Sequence, residues 1–213
     1  DILLNKDVTE DVKFDKKIGT TEKYIMSHDK FPLQQNRWGH LPIIIQKFLS
    51  FDSSKCEGKD KKSLKHNTPC LLRHGVENNQ NQSFIACISA LYIDFNSKKE
   101  RLSISEMKDK IISTLSIDNI LQFHNGNIVN IFAESNYDSI DISPYTSSKL
   151  YSKIYSENPH GFKKVVSGFT NFIKYLKDDN VVINHTYLWD IVCSRNADLF
   201  PKGLNLIIME NKN

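Results

Sequence analysis

Ser83 is the side chain whose type and setting most invite chemistry. It stands in Asn79-Gln-Asn-Gln-Ser83-Phe-Ile-Ala-Cys-Ile-Ser89, where a polar turn runs into an apolar segment of helical period. That setting places a hydroxyl at a helix N-terminus, where backbone N–H groups and the helix dipole can stabilise an oxyanion. The same serine would alternatively act only as the N-cap of the helix. A serine attacks an amide only when a base lies within hydrogen-bond reach. The seven histidines are scattered. His40, His74 and His185 flank ordered segments, but none belongs to an i, i+4 ligand pair with an acid nearby. Cys56, Cys70, Cys87 and Cys193 show no C-x-x-C and no paired metal spacing. No metal site is expected, and no cofactor, since the nucleotide-loop and H-E-x-x-H motifs are absent as well.

Two arginine-containing segments suggest recognition or structure instead of catalysis. Only Arg37, Arg73, Arg101 and Arg195 are arginine. The planar fork of arginine pairs with carbonyls and aromatic faces in ways a lysine cannot. Arg37 and Trp38 beside Gly39, and Arg73 beside Gly75, are therefore expected to form an arginine-on-aromatic or arginine-on-carbonyl clamp joining the first segment to the buried helix, with Trp38 alternatively a plain core residue. The one basic cluster, Lys55, Lys59, Lys61, Lys62 and Lys65, is interrupted by Glu57 and Asp60. It reads as a solvated loop, in which Lys59, Lys61 and Lys62 are the candidate phosphate contacts.

The elements that must hold these residues follow from period and punctuation. Residues 1–30 are charged and aperiodic, an arm or linker, and residues 31–213 read as one domain with an exposed loop at 51–69. Pro42 at a first helical position leads into a short helix with Ile44, Ile45, Phe48 and Leu49 on one face. Apolar residues at 84, 85, 87, 88, 91, 92 and 95 predict a buried helix, with Phe84, Ile88 and Leu91 inward and Cys87 a small buried hydrophobe. Ser103-Ile-Ser-Glu106 has the form of a capping box ahead of Met107, Ile111, Ile112 and Leu115. Asn125-Gly126 marks a turn, and Ile128–Ala133 fits either a strand or a helix. Gly161 to Lys177 carries a strong helical stripe, Asn184 caps a last helix, and Leu204–Met209 is the best strand candidate. Helices outnumber strands, so the class is α+β, helix-rich with a small sheet.

Composition limits the function further. The chain has 213 residues, 39% hydrophobic and 25% charged, a globular profile. A net charge of +3 from 28 basic and 25 acidic residues gives no strong overall field. No apolar run approaches the ~20 residues that span a bilayer, so no membrane is expected. Cys56 and Cys70 bracket a polar loop and would pair only in an oxidising compartment. The thiols are expected to be reduced and the protein intracellular. The start at Asp1 and the end just after an apolar run suggest a piece of a longer polypeptide.

Two resemblances add to this reading. The Ser83 segment resembles the nucleophile turn of ovarian-tumour-type and other papain-like cysteine peptidases, with Tyr187-Leu-Trp-Asp190 and Leu204 to Met209 echoing their later elements. It departs from them in carrying a serine where they carry a thiolate. This resemblance implies a degenerate papain-like fold and a deubiquitinase-type peptidase, active or dead, using Ser83, Cys87 and His185. More specifically, Asn36-Arg-Trp-Gly-His-Leu-Pro42, Cys70-Leu-Leu-Arg-His-Gly-Val76 with Gln82-Ser-Phe84, and Gly203-Leu-Asn-Leu-Ile-Ile208 look like the motif order of the early transcription factor large subunit-like proteins of nucleocytoplasmic large DNA viruses. The excess of Lys, Asn and Ile fits the AT-rich genomes of giant viruses. This resemblance implies a non-catalytic part in early viral transcription, with a helicase-type small subunit, the viral RNA polymerase and duplex DNA as partners. It places the protein in the viral factory of the host cytoplasm and in the virion.

Overall fold

A computed structural model describes residues 24–60, 62–96 and 101–207. The class is the expected one, helix-rich α+β with a small two-stranded antiparallel sheet. Contacts divide the chain into two compact units, Asp1–Gly75 and Val76–Asn213.

In the first unit, β1 (Trp38–His40) pairs with β2 (Leu72–His74) in the register Trp38↔His74, Gly39↔Arg73 and His40↔Leu72. Met26 forms a parallel bridge to Gly39 on the other side of β1, its N–H donating to Trp38 O at 2.9 Å while His40 N donates to Met26 O at 2.8 Å. The polar arm expected over 1–30 is therefore too long. Ile25 is buried, and residues 24–30 belong to this unit, because backbone pairing gives that short segment the partners its sequence does not advertise. Residues 1–23 lie outside the described residues.

The helix after Pro42 forms as α1 (Ile43–Phe48), with Pro42 in the N-cap place instead of the first helical one. No residue of α1 is buried, and Ile44 and Phe48 are 68% and 66% exposed. The loop after it is more ordered than its composition suggests. Asp60 Oδ1 accepts from the N–H groups of Lys62 and Ser63 at 3.0 Å each. Gly58 N donates to Ser63 O at 2.6 Å, and Lys65 N to Cys56 O at 2.9 Å. These bonds fold the loop back on itself, and Cys56 and Cys70 form a disulfide. This corrects the expectation of reduced thiols for that pair: spacing along the chain did not reveal that the loop doubles back.

The second unit is helical: α2 (Ser83–Asn96), α3 (Ile104–Ser113), α4 (Asn127–Phe132), α5 (Lys149–Ile154), α6 (Pro159–Lys177) and α7 (His185–Cys193). The ambiguous 128–133 segment is thus helix α4. Sequence-local caps set the starts. Ser103 and Glu106 form the capping box, Asn158 Oδ1 accepts from Gly161 N at 2.8 Å, and Asn184 Oδ1 accepts from Thr186 N at 2.9 Å. Helix α6 is central and packs on α3, α4 and α5 with Phe162, Val166 and Phe172 fully buried. Burying each such phenylalanine contributes about 1.5–3 kcal/mol. A Cβ on Gly168 would fall 2.7 Å from Val129 Cα, so glycine is what lets the α4 backbone lie against α6.

Two sequence expectations fail in this unit. On α2 the inward residues are Ile85, Ala86, Ile88, Ser89 and Tyr92, whereas Leu91 is 38% exposed and Cys87 is exposed. The helix is apolar nearly all round, so its period could not say which stripe faces the core. Leu204 to Ile207 is irregular chain and not the expected strand, and residues 208 onward lie outside the described residues. A β-rich sequence becomes a strand only beside a partner strand. Here Leu204 N donates to Cys193 O at 3.0 Å, at the end of a helix.

Candidate functional site

The ribbon β1–β2 brings together residues some 35 positions apart in sequence, and with them most of the recognition residues expected from the sequence. Arg73 is the hub. Its Nε donates to His40 O at 2.7 Å, one terminal nitrogen to Lys30 O at 3.1 Å and the other to Ser27 O at 3.0 Å. The guanidinium also lies over the Phe31 ring, 4.3 Å from its centroid. Burial lowers the guanidinium's pKa and the charge of Asp29 opposes that shift. With three donors aimed at main-chain carbonyls, Arg73 positions the 27–40 segment. Gly39 and Gly75 make the approach possible: a Cβ on Gly39 would stand 3.2 Å from the Arg73 guanidinium, and one on Gly75 would stand 1.9 Å from Gln34 O. Arg37 joins the ribbon by its backbone, its carbonyl accepting from Gly75 N at 2.7 Å.

Trp38 is not a core residue. It keeps 37% of its surface in solvent while the His74 ring stands against it at a centroid distance of 4.4 Å. His40, two residues on, points inward and is 4% exposed, with Nε2 3.7 Å from Glu57 Oε1 and neither ring nitrogen hydrogen-bonded. Burial lowers its pKa, against the opposing pull of Glu57, so it is neutral at pH 7.

The lysine loop is tied into the same unit. Ile25 N donates to Lys62 O at 2.7 Å, and Met26 N to Trp38 O at 2.9 Å. Lys62, the 25–26 segment, β1 and β2 therefore lie side by side. Lys59, Lys62 and Lys65 are exposed, and Lys62 Nζ lies 5.6 Å from the Tyr24 ring centroid. Lys61 lies outside the described residues. The near-neutral total charge conceals an asymmetry: the unit Asp1–Gly75 holds fourteen Lys and Arg against ten Asp and Glu, nine against four of them within residues 24–75, whereas residues 76–213 hold fourteen against fifteen. Counting charge over the whole chain hid the basic unit, and the unit boundary is the signal that exposes it.

The residues of the peptidase-type reading lie in the second unit. Ala86 N donates to Gln82 O at 3.1 Å, so Gln82 holds the N-cap place and Ser83 is the first helical residue, exposed. Phe84 and His185 approach at a centroid distance of 6.1 Å, but no hydrogen bond joins Ser83, Cys87 and His185 among the described residues. The surface of Cys87 is open, yet the atoms packed around it desolvate the thiol and push its pKa up, away from the thiolate a nucleophile needs. Gln82 itself is 1% exposed and donates to Val181 O at 2.8 Å, and buried Lys108 reaches Asp179 at 2.6 Å. Together they fasten the α6–α7 loop, a structural duty.

No family model, curated protein or solved structure matches the chain.

One further polar arrangement has no counterpart in the sequence reading. Tyr137 Oη lies 2.9 Å from His160 Nε2, and His160 Nδ1 lies 3.3 Å from Asp138 Oδ1, beside a cavity of about 170 Å³ lined by Glu134, Asn136, Tyr137, Ser167, Asn171 and Lys174. An imidazole between a carboxylate and a hydroxyl is a general-base geometry. His160 and Asp138 are 67% and 74% exposed, so water screens the pair. No local spacing signals this contact, because a loop and the start of α6 supply its members.

Proposed function

We propose that this chain is a binding region of an early transcription factor large subunit-like protein of a nucleocytoplasmic large DNA virus, and that residues 24–75 are its nucleic-acid contact. One observation carries the reading: basic charge, exposed aromatic rings and the ribbon formed by the two resembling motifs all fall in the same small unit. Lysines on such a surface neutralise phosphates and carry no sequence information. The chain works beside a helicase-type small subunit and the viral RNA polymerase, which supply the chemistry.

The test is anisotropy of labelled duplex DNA with the full chain across a salt series. Binding is expected to be weak, with Kd on the order of 10⁻⁴–10⁻⁶ M, without sequence preference and weakening as salt rises. Reversing Lys59, Lys62 and Lys65 to Glu should flatten the salt dependence and remove most of the affinity. Salt-insensitive binding, or binding unchanged by the triple reversal, would defeat the proposal. The peptidase-type reading has one observation in its favour, the approach of His185 to Phe84 next to Ser83. It lacks a base hydrogen-bonded to either nucleophile, which is why the binding reading is preferred.

A further inference from the structure

The strand order brings the backbone of exposed Lys62 near the strand that carries Trp38. Lys62 pairs with Ile25, Met26 with β1, and β1 with β2. The Lys62 backbone and that of β1 are therefore about two strand spacings apart, roughly 10 Å. At the β1 end stands Trp38, 37% exposed and backed by His74 at 4.4 Å, so its indole is braced in place by its cross-strand partner. Arg73 ties the 27–40 segment to β2 through three carbonyls. Phosphates alone would require only the lysines. A solvent-facing indole braced by His74 offers a π-face, which stacks on an unpaired base and has nothing to stack on in an intact duplex.

We propose that the Trp38–His74 face, with Lys62 two strand spacings away, binds single-stranded nucleic acid by stacking a base on Trp38 while Lys62 takes an adjoining phosphate. This rests on the reading of residues 24–75 as a nucleic-acid contact and adds the strand state of the ligand. The unit would then hold DNA that has already been opened, in preference to closed promoter DNA.

The experiment uses the full chain carrying Trp189→Phe, which leaves Trp38 as the sole indole. A 20-nucleotide oligothymidine and a duplex of equal length are titrated at one salt concentration, following anisotropy and indole emission. The single strand should bind at least several-fold more tightly and quench Trp38, while the duplex binds with little quenching. Trp38→Ala should weaken single-strand binding about 5- to 150-fold, the range to which ~1–3 kcal/mol per stacked base converts, and leave duplex binding unchanged. Trp38→Phe, which keeps a ring and guards against a folding defect in the alanine variant, should retain most of the preference. Equal affinity for both strand states, no quenching, or equal weakening of both by Trp38→Ala would overturn the stacking proposal while leaving the phosphate reading intact. Failure of both oligonucleotides to bind would overturn the stacking proposal and the phosphate reading together.

Discussion

Gly75→Ala tests whether the ribbon is what builds the candidate surface. The added Cβ would fall 1.9 Å from Gln34 O and 2.8 Å from Gln34 C, both backbone atoms that no side-chain rotation can move. Relieving the contact requires the two segments to part by roughly 1.5 Å. That movement would stretch Asn36 N to Gly75 O, now 2.8 Å, and Gly75 N to Arg37 O, now 2.7 Å, beyond bonding range. Two net hydrogen bonds at about 0.5–1.5 kcal/mol each, with about 1–3 kcal/mol for overpacking, give about 2–6 kcal/mol. A unit as small as Asp1–Gly75 has little stability to spare. Urea unfolding followed by Trp38 emission in a Trp189→Phe background should show the small unit's transition moved down by about 2 M or more, since the denaturant slope of so small a unit is about 1 kcal/mol/M. The far-UV helix signal of Val76–Asn213 should be little changed, and nucleic-acid binding should be lost with the ribbon. An unchanged midpoint for the Trp38 transition would show that the ribbon does not depend on the close approach of Gly75 to Gln34.

Three other expectations follow from particular residues. Ile88→Ala should destabilise the helical unit by about 2–5 kcal/mol, whereas Leu91→Ala should cost well under half as much, because Ile88 is 2% and Leu91 38% exposed; equal denaturation midpoints for the two variants would show that α2 is rotated from the orientation described. Because the folded-state pKa of His40 is lowered, the unfolded chain binds a proton more readily; stability is full above the unfolded value of 6.5 and falls below it, by at most ~1.4 kcal/mol per pH unit, a slope that thermal melts of the Trp38 signal should show and that His40→Gln should remove. Cys87 should alkylate slowly at neutral pH, its rate still climbing above pH 9.0 because its thiol pKa is raised, and a serine-directed phosphonate should leave Ser83 unlabelled; rapid alkylation at pH 7 or stoichiometric Ser83 labelling would favour the peptidase-type reading.

Features with local causes can be read from the amino-acid order alone. The box of Ser103 and Glu106, the cap at Asn184 and the stripe of α6 are decided within a few residues, so they were legible without a fold. The helix-rich α+β class follows from the same signals. Other features depend on partners distant in the chain and emerge only on folding. Nothing near Arg73 announces that its donors reach Ser27 and Lys30, or that Trp38 meets His74 across a ribbon. The pairing of Cys56 with Cys70, the outward turn of Cys87 and Leu91, and the loss of the expected strand at Leu204 all depended on which surface packed against which. A residue's type limits the contacts it can make, but its exposure and its partner are properties of the folded chain, and the candidate site consists mostly of such properties.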